Sequence, residues 1–483
     1  MLRIPEKGLS EEEVFARLTA FGEKDVPWRD GKLFAYIYNG GPDVERVAKR
    51  AFAQYLTENA LDPTAFPSLR RMENELVAFA VAHLRGDENV VGNITTGGTE
   101  SCMLAVKTAR DRFRDTHPGA GEPEIILPVT AHAAFHKGAH YFGLKKAMAP
   151  VDTTTFRAIP AEIEKRVTDN TALIVASACS YAHGVVDPVP EIAAIASARD
   201  ILLHVDGCIG GFVLPYFRRL GQDVTPFDFS VPGVTSISMD WHKYAYCPKG
   251  CSTILHRNKA LRRYQLFACA EWTGYTIVNP TMLSAKSGGP LAAAWAVVNY
   301  LGDNGYLEFA RRSLEATKRI KRGIANTPGL RILGTPESNL IAFTSDAFCV
   351  FHIIDEMRAM GWYIQPQFGY FGSKENVHLS IGQSALERVD EFLADLVKAA
   401  AKARAIPPSP IVELVEAELA KMKPGEAPDR ETFEALMAAL GMTDGGAPVR
   451  GTELNQVLNV LPPALTKFAL TEYFNDLFVQ PRG

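Results

Sequence analysis

The sequence predicts an α/β protein: a large domain with a mostly parallel sheet, a smaller α+β domain and a helical C-terminal extension. Short apolar runs such as "EIILPV", "ALIVASA" and "ILLHVDG" alternate with segments of helical periodicity. That alternation is typical of parallel sheets whose strands are joined by helices. The 483 residues also exceed what a single hydrophobic core accommodates, so we expect more than one domain.

The elements fall into four segments along the chain. Residues 1–60 form an N-terminal helical segment, in which Ser10 caps a helix with an acidic first turn. Residues 61–300 form the large domain, which opens with a helix that we expect Gly86 to end and then holds the alternating strands and helices. Residues 301–404 mix two or three strands with two helices and form the small domain. After the proline-rich linker "AIPPSPIVE", residues 405–483 read as helices.

Composition argues against several functional classes. The formal net charge is −4, which gives no electrostatic reason to expect nucleic-acid binding. No apolar run approaches the ~20 residues that cross a bilayer, and the first residues lack the apolar core of a signal peptide. We therefore expect a cytoplasmic protein without a transmembrane segment. The seven cysteines are scattered without a second pair at zinc-finger spacing, which indicates reduced thiols.

Two charged residues stand where apolar strands end. Lys243 follows "VTSISM", and a lysine buried there has a lowered pKa and is the nucleophile that forms a Schiff base with a carbonyl compound or pyridoxal 5'-phosphate. Asp206 ends "ILLHVD", at the edge where α/β sheets bind ligands, and its carboxylate suits the ring nitrogen of that cofactor. Each also fits a simpler role, Lys243 as an exposed lysine at a strand exit and Asp206 as a turn cap.

The stretch "TTGGTES" has the pattern of an anion site. Gly97 and Gly98 make a tight turn, and Thr99 opens a helix whose backbone N–H groups suit a cofactor phosphate. The stretch lacks the lysine of a P-loop, and no G-x-G-x-x-G follows a strand, so the nucleotide fingerprints are absent from the sequence. Taken alone, a Gly-Gly turn is a weak signal.

Three histidines, His132, His136 and His140, are spaced four residues apart. On one helix they would share a face and could bind zinc. A second interpretation uses His132 alone, at a strand–helix junction, as an aromatic plate over a cofactor ring. In a third interpretation they are exposed or capping histidines. The sequence lacks the H-E-x-x-H arrangement of zinc hydrolases here, and we expect no bound metal.

Four motifs in order carry a resemblance to a known family. They are "TTGGTES", "YAHGVVDPVPEIA", "HVDGCIGGFVLP" and "GVTSISMDWHKYAYCPKGCSTIL". Together they resemble fold-type I pyridoxal-phosphate enzymes, specifically the sphingosine-1-phosphate lyase-like group II decarboxylases. The resemblance runs from about residue 30 to 400 and leaves the last 75 or so residues uncovered. It implies an aspartate aminotransferase-like fold, pyridoxal 5'-phosphate as cofactor and a homodimer with a shared active site.

The resemblance also implies a role for each residue of the cofactor site. Lys243 would form the Schiff base, Asp206 would pair with the pyridinium, and His132 would stack on the ring. The cofactor phosphate would be held by Gly98, Thr99 and His242.

At the substrate end the resemblance is looser. Tyr181 would lie near the reacting substrate, Lys249 would bind a substrate phosphate, and Tyr38 matches a tyrosine that a dimer partner contributes. Lys286 keeps a cation in the altered loop "SAKSG". Asp62 replaces a phosphate-binding histidine, and a carboxylate there would repel a phosphate.

The expected activity is that of a lyase acting at the α-carbon of a small amine or amino-acid substrate, possibly phosphorylated. In the retro-aldol version, an external aldimine loses an aldehyde, and Tyr181 or a cofactor-phosphate relay takes the proton of a β-hydroxyl. In the alternative, an amino-acid decarboxylation, the bond lost joins the α-carbon to the carboxylate, and Lys243 or a tyrosine reprotonates the carbanion. Both use the same site, and the motifs favour the first.

Overall fold

The structure, a computed structural model, describes residues 3–407, 409–419 and 451–480. Its helices up to residue 407 are α1 (Glu11–Phe21), α2 (Pro42–Gln54), α3 (Pro67–His83), α4 (Gly98–Thr116), α5 (Ala133–Phe142), α6 (Pro160–Glu164), α7 (Val189–Ser197), α8 (Gly210–Arg219), α9 (Lys259–Arg262), α10 (Gly288–Asn326), α11 (Phe351–Ala359) and α12 (Val389–Ala405). Short 3₁₀ turns span Gly22–Lys24, Trp28–Asp30 and Gln383–Arg388. The C-terminal extension contributes helices Pro410–Leu419, Gly451–Val460 and Pro463–Leu477.

Within the described residues, thirteen strands form three sheets. They are β1 (Val91–Thr95), β2 (Glu124–Pro128), β3 (Lys145–Ala149), β4 (Thr171–Ser177), β5 (Leu202–Asp206), β6 (Ser236–Asp240), β7 (Ser252–His256), β8 (Phe267–Cys269), β9 (Ile277–Asn279), β10 (Leu330–Ile332), β11 (Leu340–Ser345), β12 (Gln365–Gln367) and β13 (Asn376–Ser380). The large sheet has the order β1-β7-β6-β5-β4-β2-β3, the small one β10-β11-β13-β12, and β8 pairs with β9.

The large sheet is parallel except at β7, which pairs antiparallel with both β1 and β6. Strands β2, β4, β5, β6 and β7 are buried at every position. Helices cover both faces: Ile125 and Leu127 join the core formed with α4 and α5, whereas Ile126 joins the core formed with α3, α7 and α8. Burial on both faces explains why these strands read as continuous apolar runs rather than alternating ones.

The carboxyl ends of β5 and β6 bring the site residues together. The two strands are parallel neighbours, with Asp206 opposite Ser238. Asp206 therefore ends one strand and Asp240 the next, on the same edge of the sheet. The carboxyl edge of a parallel sheet is where such folds bind ligands, so the topology places the site here.

The small domain is an antiparallel sheet covered by α11 and α12, with a separate core around Phe343, Phe351 and Phe392. It has four strands, where the sequence predicted two or three. Helix α10 runs across the predicted boundary at 300/301, but it kinks at Gly302, whose φ of 60° is left-handed. The kink separates the part of α10 beside the large sheet from the part beside the small one.

The structure allows local predictions about helix ends to be compared with the observed helices. Ser10 caps α1 through a reciprocal capping box with Glu13. Helix α3 ends earlier than expected: Arg85, not Gly86, takes the left-handed conformation, with a φ of 53°. Of the predicted C-terminal helices, the one beginning near residue 429 lies outside the described residues. None of the described helices is long and apolar enough to cross a membrane.

Candidate active site

One cavity of about 210 Å³ at the carboxyl edge of the large sheet gathers most of the predicted site residues. Its walls include all seven residues assigned to cofactor binding or catalysis, namely Gly98, Thr99, His132, Tyr181, Asp206, His242 and Lys243. These come from five separate segments of the chain, so the fold rather than local sequence assembles them. The same walls include Asp240, which the sequence interpretation did not select.

Asp240 sets the charge of Lys243. Its carboxylate, 1% exposed at the end of β6, forms an ion pair with the Lys243 ammonium at 2.8 Å. We expected burial to lower the pKa of Lys243; burial does oppose the charge, but Asp240 outweighs it and raises that pKa well above the usual value. Burial likewise opposes ionisation of Asp240, yet the positive charges of Lys243 and His242 hold its pKa below the usual value.

Asp206 is held in place by its neighbours. Its Oδ1 accepts a hydrogen bond from the backbone N–H of Cys208 at 3.0 Å, and the Ser238 hydroxyl lies 3.4 Å from the same oxygen. Behind Ser238, the ring of His204 lies within hydrogen-bonding distance of that hydroxyl, and burial lowers the pKa of His204 to about 3. A neutral imidazole therefore backs the network, and Asp206 lies in the wall of the cavity.

The N-terminus of α4 forms the anion side of the cavity. A side chain at Gly98 would place its Cβ 2.7 Å from Oδ2 of Asp240, so the helix can approach the carboxylate this closely only with glycine. Thr99 lies in the first turn of the same helix. Close to this helix start, Nδ1–H of His242 donates to the carbonyl of Cys251 at 2.7 Å, which leaves Nε2 directed towards the site, 3.5 Å from Asp240.

His132 is the N-cap of α5 rather than part of its helical face. Its Nδ1 accepts a hydrogen bond from the N–H of Ala134 at 3.2 Å, which fixes the ring at the cavity wall. Because the helix begins after His132, the even spacing with His136 and His140 does not create a ligand set. Across residues 3–407, 409–419 and 451–480, these histidines are not among the groups whose ligand atoms converge.

Tyr181 reaches the cavity from the loop after β4. Its hydroxyl donates to Oε1 of Gln365 at 2.6 Å, and its ring stacks on His378 with centroids 4.3 Å apart. Burial raises the pKa of Tyr181, so the phenol keeps its proton. The oxygen lone pairs are left to accept a hydrogen bond from a bound molecule.

A second cavity, of about 520 Å³, adjoins the first one at His242. Its lining is mostly apolar and includes Val44, Phe52 and Leu56, with Lys249 at its edge. The Lys249 ammonium lies 5.3 Å from the centre of the Tyr38 ring, and Lys249 forms no ion pair within the described chain. Burial lowers the pKa of Lys249 and raises that of Tyr38 to about 12.

Tyr38 thus lies in the site of its own chain. The resemblance matches it to a tyrosine that a dimer partner contributes; within its own chain the ring packs edge-on against Tyr244, with centroids 4.8 Å apart. The Lys243 and Asp240 charges both act on its hydroxyl. Any partner contribution would come in addition to this position.

Two of the expected substrate-binding residues lie elsewhere. Lys286 is half-buried, with its ammonium 2.6 Å from Glu73 and 2.9 Å from the carbonyl oxygen of Ile94. It therefore stabilises the packing of α3 against β1 and does not face the cavity. Asp62 lies on an exposed turn, where its Oδ1 accepts hydrogen bonds from the N–H and hydroxyl of Thr64. These bonds hold the pKa of Asp62 below its usual value.

The donor set fits pyridoxal 5'-phosphate. A lysine amine, a buried carboxylate on the neighbouring strand and a helix N-terminus surround one cavity, and each matches a different part of that molecule: the aldehyde, the ring nitrogen and the phosphate. No room remains for a side chain at Gly98. Among the residues missed or misplaced from the sequence, Asp240 lies only three residues before its partner Lys243, Lys286 pairs with Glu73, which is distant along the chain, and Asp62 lies on an exposed turn.

Two family models match separate parts of the chain. The family model of the pyridoxal-dependent decarboxylase conserved domain matches residues 5–346. A second model, of a C-terminal domain of pyridoxal-dependent enzymes proposed to be of the HTH type, matches residues 411–476.

Individual relatives point the same way. The sphingosine-1-phosphate lyase of Oryza sativa is 39% identical over 401 residues, which are 81% of this chain and 73% of that protein. The "Probable L-aspartate decarboxylase" of Pyrococcus furiosus is 30% identical over 76% of this chain and 96% of its own. A solved Burkholderia pseudomallei sphingosine-1-phosphate lyase superposes with a TM-score of 0.80 at 34% identity, covering 87% of this chain and 96% of that one. The protein is thus a lyase that depends on pyridoxal 5'-phosphate, and the chain belongs to the pyridoxal-dependent decarboxylase family.

Proposed function

We propose that this lyase cleaves a carbon–carbon bond at the α-carbon of a phosphorylated amino alcohol with an apolar tail, releasing an aldehyde. The observation that carries the proposal is the mostly apolar cavity of about 520 Å³ that adjoins the cofactor cavity and has the Lys249 ammonium at its edge. A long apolar tail matches such a cavity, and a cation with no protein partner matches a phosphate. The sphingosine-1-phosphate lyases named above act on a substrate of this kind.

Each residue of the cofactor site has a distinct task in the proposal. Bound pyridoxal 5'-phosphate supplies an electron sink for the bond that breaks at the α-carbon. Asp206, fixed by the Cys208 N–H, holds the proton on the ring nitrogen that makes the sink effective. Gly98, Thr99 and His242 bind the cofactor phosphate, and Lys243 provides the attachment point.

Tyr181 orients the substrate rather than removing a proton at neutral pH. Its hydroxyl already donates to Gln365, so its oxygen accepts a hydrogen bond from the substrate β-hydroxyl. Its raised pKa disfavours the phenolate that a strong base would need. The β-hydroxyl proton must therefore pass to an acceptor other than Tyr181.

A second candidate function is decarboxylation of an amino acid. Lys286 is paired to Glu73, whereas Lys249 lines the substrate cavity without an ion pair among the described residues, and one cation suits a carboxylate as well as a phosphate. The relative from Pyrococcus furiosus, whose length the match nearly spans, is of this class. Both functions would use the same cofactor site.

We further propose that the chain acts as a cytoplasmic homodimer. Helix α1 has no buried residue and exposes Phe15, Leu18 and Phe21, and the β8–β9 hairpin exposes Trp272 and Val278. Apolar patches of this kind mark protein–protein interfaces. The seven cysteines are all free, as proteins of a reducing compartment generally keep them.

The experiment compares kcat/KM for a phosphorylated long-chain amino alcohol, its unphosphorylated form and a panel of amino acids. We expect aldehyde release from the phosphorylated compound, a raised KM in Lys249→Ala and an unchanged cofactor spectrum. Asp62→His is the matched control, because Asp62 lies on an exposed turn and its exchange should leave KM unchanged. Carbon dioxide release from an amino acid, with no aldehyde from either amino alcohol, would establish decarboxylation instead.

A further inference from the structure

Two buried thiols and one carboxylate converge on the floor of the cofactor cavity. Cys102 lies in α4 and Cys208 follows β5, and their sulfur atoms are 3.9 Å apart. An oxygen of Asp206 and the two sulfurs all lie within 4.8 Å of one another. In the part of the chain that the structure describes, no other three histidine, cysteine or acidic side chains converge in this way.

The spacing of the two sulfurs is that of ligands on one metal ion. Two thiolates bound tetrahedrally at about 2.3 Å from zinc lie about 3.8 Å from each other. The observed distance of 3.9 Å between the Cys102 and Cys208 sulfurs is close to that value, so the two side chains would hardly have to move. A disulfide would instead require the sulfurs to approach to about 2.05 Å, which is a much larger movement inside a packed core.

The third ligand completes three corners of a tetrahedron and leaves one open. Cys102, Asp206 and Cys208 all contribute to the walls of the 210 Å³ cavity, which has room for a fourth, external ligand. Three protein ligands with one exchangeable position are the arrangement of zinc sites that bind an external molecule. The Cys208 sulfur also lies 3.2 Å from the Ser238 hydroxyl, which anchors it beside Asp206.

We propose that the cofactor-free protein binds one thiophilic divalent cation, such as Zn²⁺ or Cd²⁺, through Cys102, Cys208 and Asp206, and that this ion and the cofactor exclude each other. The exclusion rests on the proposed role of Asp206 at the cofactor ring. Two metal–sulfur bonds form as two S–H bonds lose their protons to solvent, and the metal keeps its oxidation state. The bound ion would be coordinated by the Asp206 carboxylate, which the ring nitrogen of the cofactor would otherwise contact.

The test begins with protein freed of pyridoxal 5'-phosphate and kept in a phosphine reductant, so that no disulfide can form. Cd²⁺ alone is titrated while thiolate-to-metal charge-transfer absorbance is recorded. We expect one Cd²⁺ per chain with two thiolates. Cys102→Ala and Cys208→Ala should each weaken binding by at least about tenfold, the lower limit seen even for loss of an outer-shell partner. Cys179→Ala is the matched control, since Cys179 lies in the same cavity but outside the converging group.

A second readout separates this site from the proposed function. Loading with Zn²⁺ should slow uptake of pyridoxal 5'-phosphate, followed by its visible absorbance, and a chelator should restore the rate. Normal uptake together with no Cd²⁺ signal would overturn the metal site and leave the cofactor site standing. A Cd²⁺ signal in a protein that never takes up the cofactor would support the metal site and overturn the proposed cofactor site. Equal Cd²⁺ binding by wild type and both cysteine variants, each shown to be folded by circular dichroism, would also overturn it.

Discussion

Among the groups that favour the charged form of Lys243, the proposed attachment point of the cofactor, the Asp240 carboxylate has the largest effect. Burial alone would drive Lys243 towards the neutral amine, yet Asp240 at 2.8 Å holds it as an ammonium. An amine must lose its proton before it can attack an aldehyde. Asp240 therefore keeps Lys243 protonated and fixes the position of its ammonium group. Because the proton must leave before attachment, we expect the rate of cofactor attachment to depend on pH.

Replacing Asp240 by asparagine should move that dependence to lower pH. Without the carboxylate, burial dominates and the pKa of Lys243 falls, so the neutral amine is present at pH values where the wild type still carries the proton. The rate of pyridoxal 5'-phosphate uptake as a function of pH measures this shift. Asp206→Asn, which removes a carboxylate that forms no ion pair with Lys243, is the comparison. An unchanged pH profile in Asp240→Asn would show that the ion pair does not control the amine.

Asp206→Ala tests the ring-nitrogen role. Cofactor should still attach to Lys243, and borohydride reduction followed by peptide mapping should find the pyridoxyl group there. Turnover should fall by several powers of ten, at about 1.4 kcal/mol per tenfold, because the ring proton is no longer held. Near-normal turnover would show that Asp206 only caps a turn and does not act on the ring nitrogen. A pyridoxyl group on Lys249 would show that the cofactor does not attach at Lys243.

The sequence predicted those site residues whose side-chain chemistry suits the cofactor and which lie at the end of an apolar strand. Lys243 and Asp206 follow apolar strands, so their location at the sheet edge could be derived. Asp240 was missed although it ends β6 as Asp206 ends β5, because a separation of three residues does not by itself show that its carboxylate contacts the Lys243 ammonium. Lys286 was misplaced because its partner Glu73 lies 213 residues away, and a motif position carries no information about such a partner.

At the scale of elements, the strands that the sequence predicted correctly are those that are buried along their whole length. The strongly apolar strands β2, β4, β5, β6 and β7 were recognised, since each is buried along its whole length. The edge strand β3 was not, because its pattern "KKAMA" is exposed at its first two positions. Short strands of the small sheet, such as β12 with its central proline, give no periodic signal and depend on tertiary pairing.

The junction between β1 and α4 gives a prediction about close packing. A Cβ at Gly98 would lie 2.7 Å from Oδ2 of Asp240 and 2.9 Å from the Cys208 sulfur, so Gly98→Ala should overpack the site. We expect a loss of about 1–3 kcal/mol in unfolding free energy, measured by denaturant unfolding without cofactor. Gly97→Ala is the matched control: its backbone is extended, and its nearest neighbour would be His242 at 3.9 Å. Equal stability of the two variants would contradict this packing.

At the scale of the whole molecule, the C-terminal extension is attached to the small domain. Thr452 donates through its N–H and hydroxyl to Asp355 of α11, and Asn459 accepts a hydrogen bond from the N–H of Gly369. The matched range 411–476 carries eleven acidic and five basic side chains, a net charge of −6. That charge opposes the approach of a polyanion, in keeping with the expectation of no nucleic-acid partner.

The N-terminal helix gives the prediction that concerns assembly. Helix α1 exposes Phe15, Leu18 and Phe21 at 60%, 56% and 77%, which is costly in water unless another surface covers them. If a second copy covers them, replacing Phe15 and Phe21 by glutamate should shift the protein from dimer to monomer in sedimentation, because two charges would be buried in an apolar interface. Glu12→Gln on the same helix should leave the dimer intact. A wild-type monomer with full activity, or a double variant that still sediments as a dimer, would show that this helix does not join two chains.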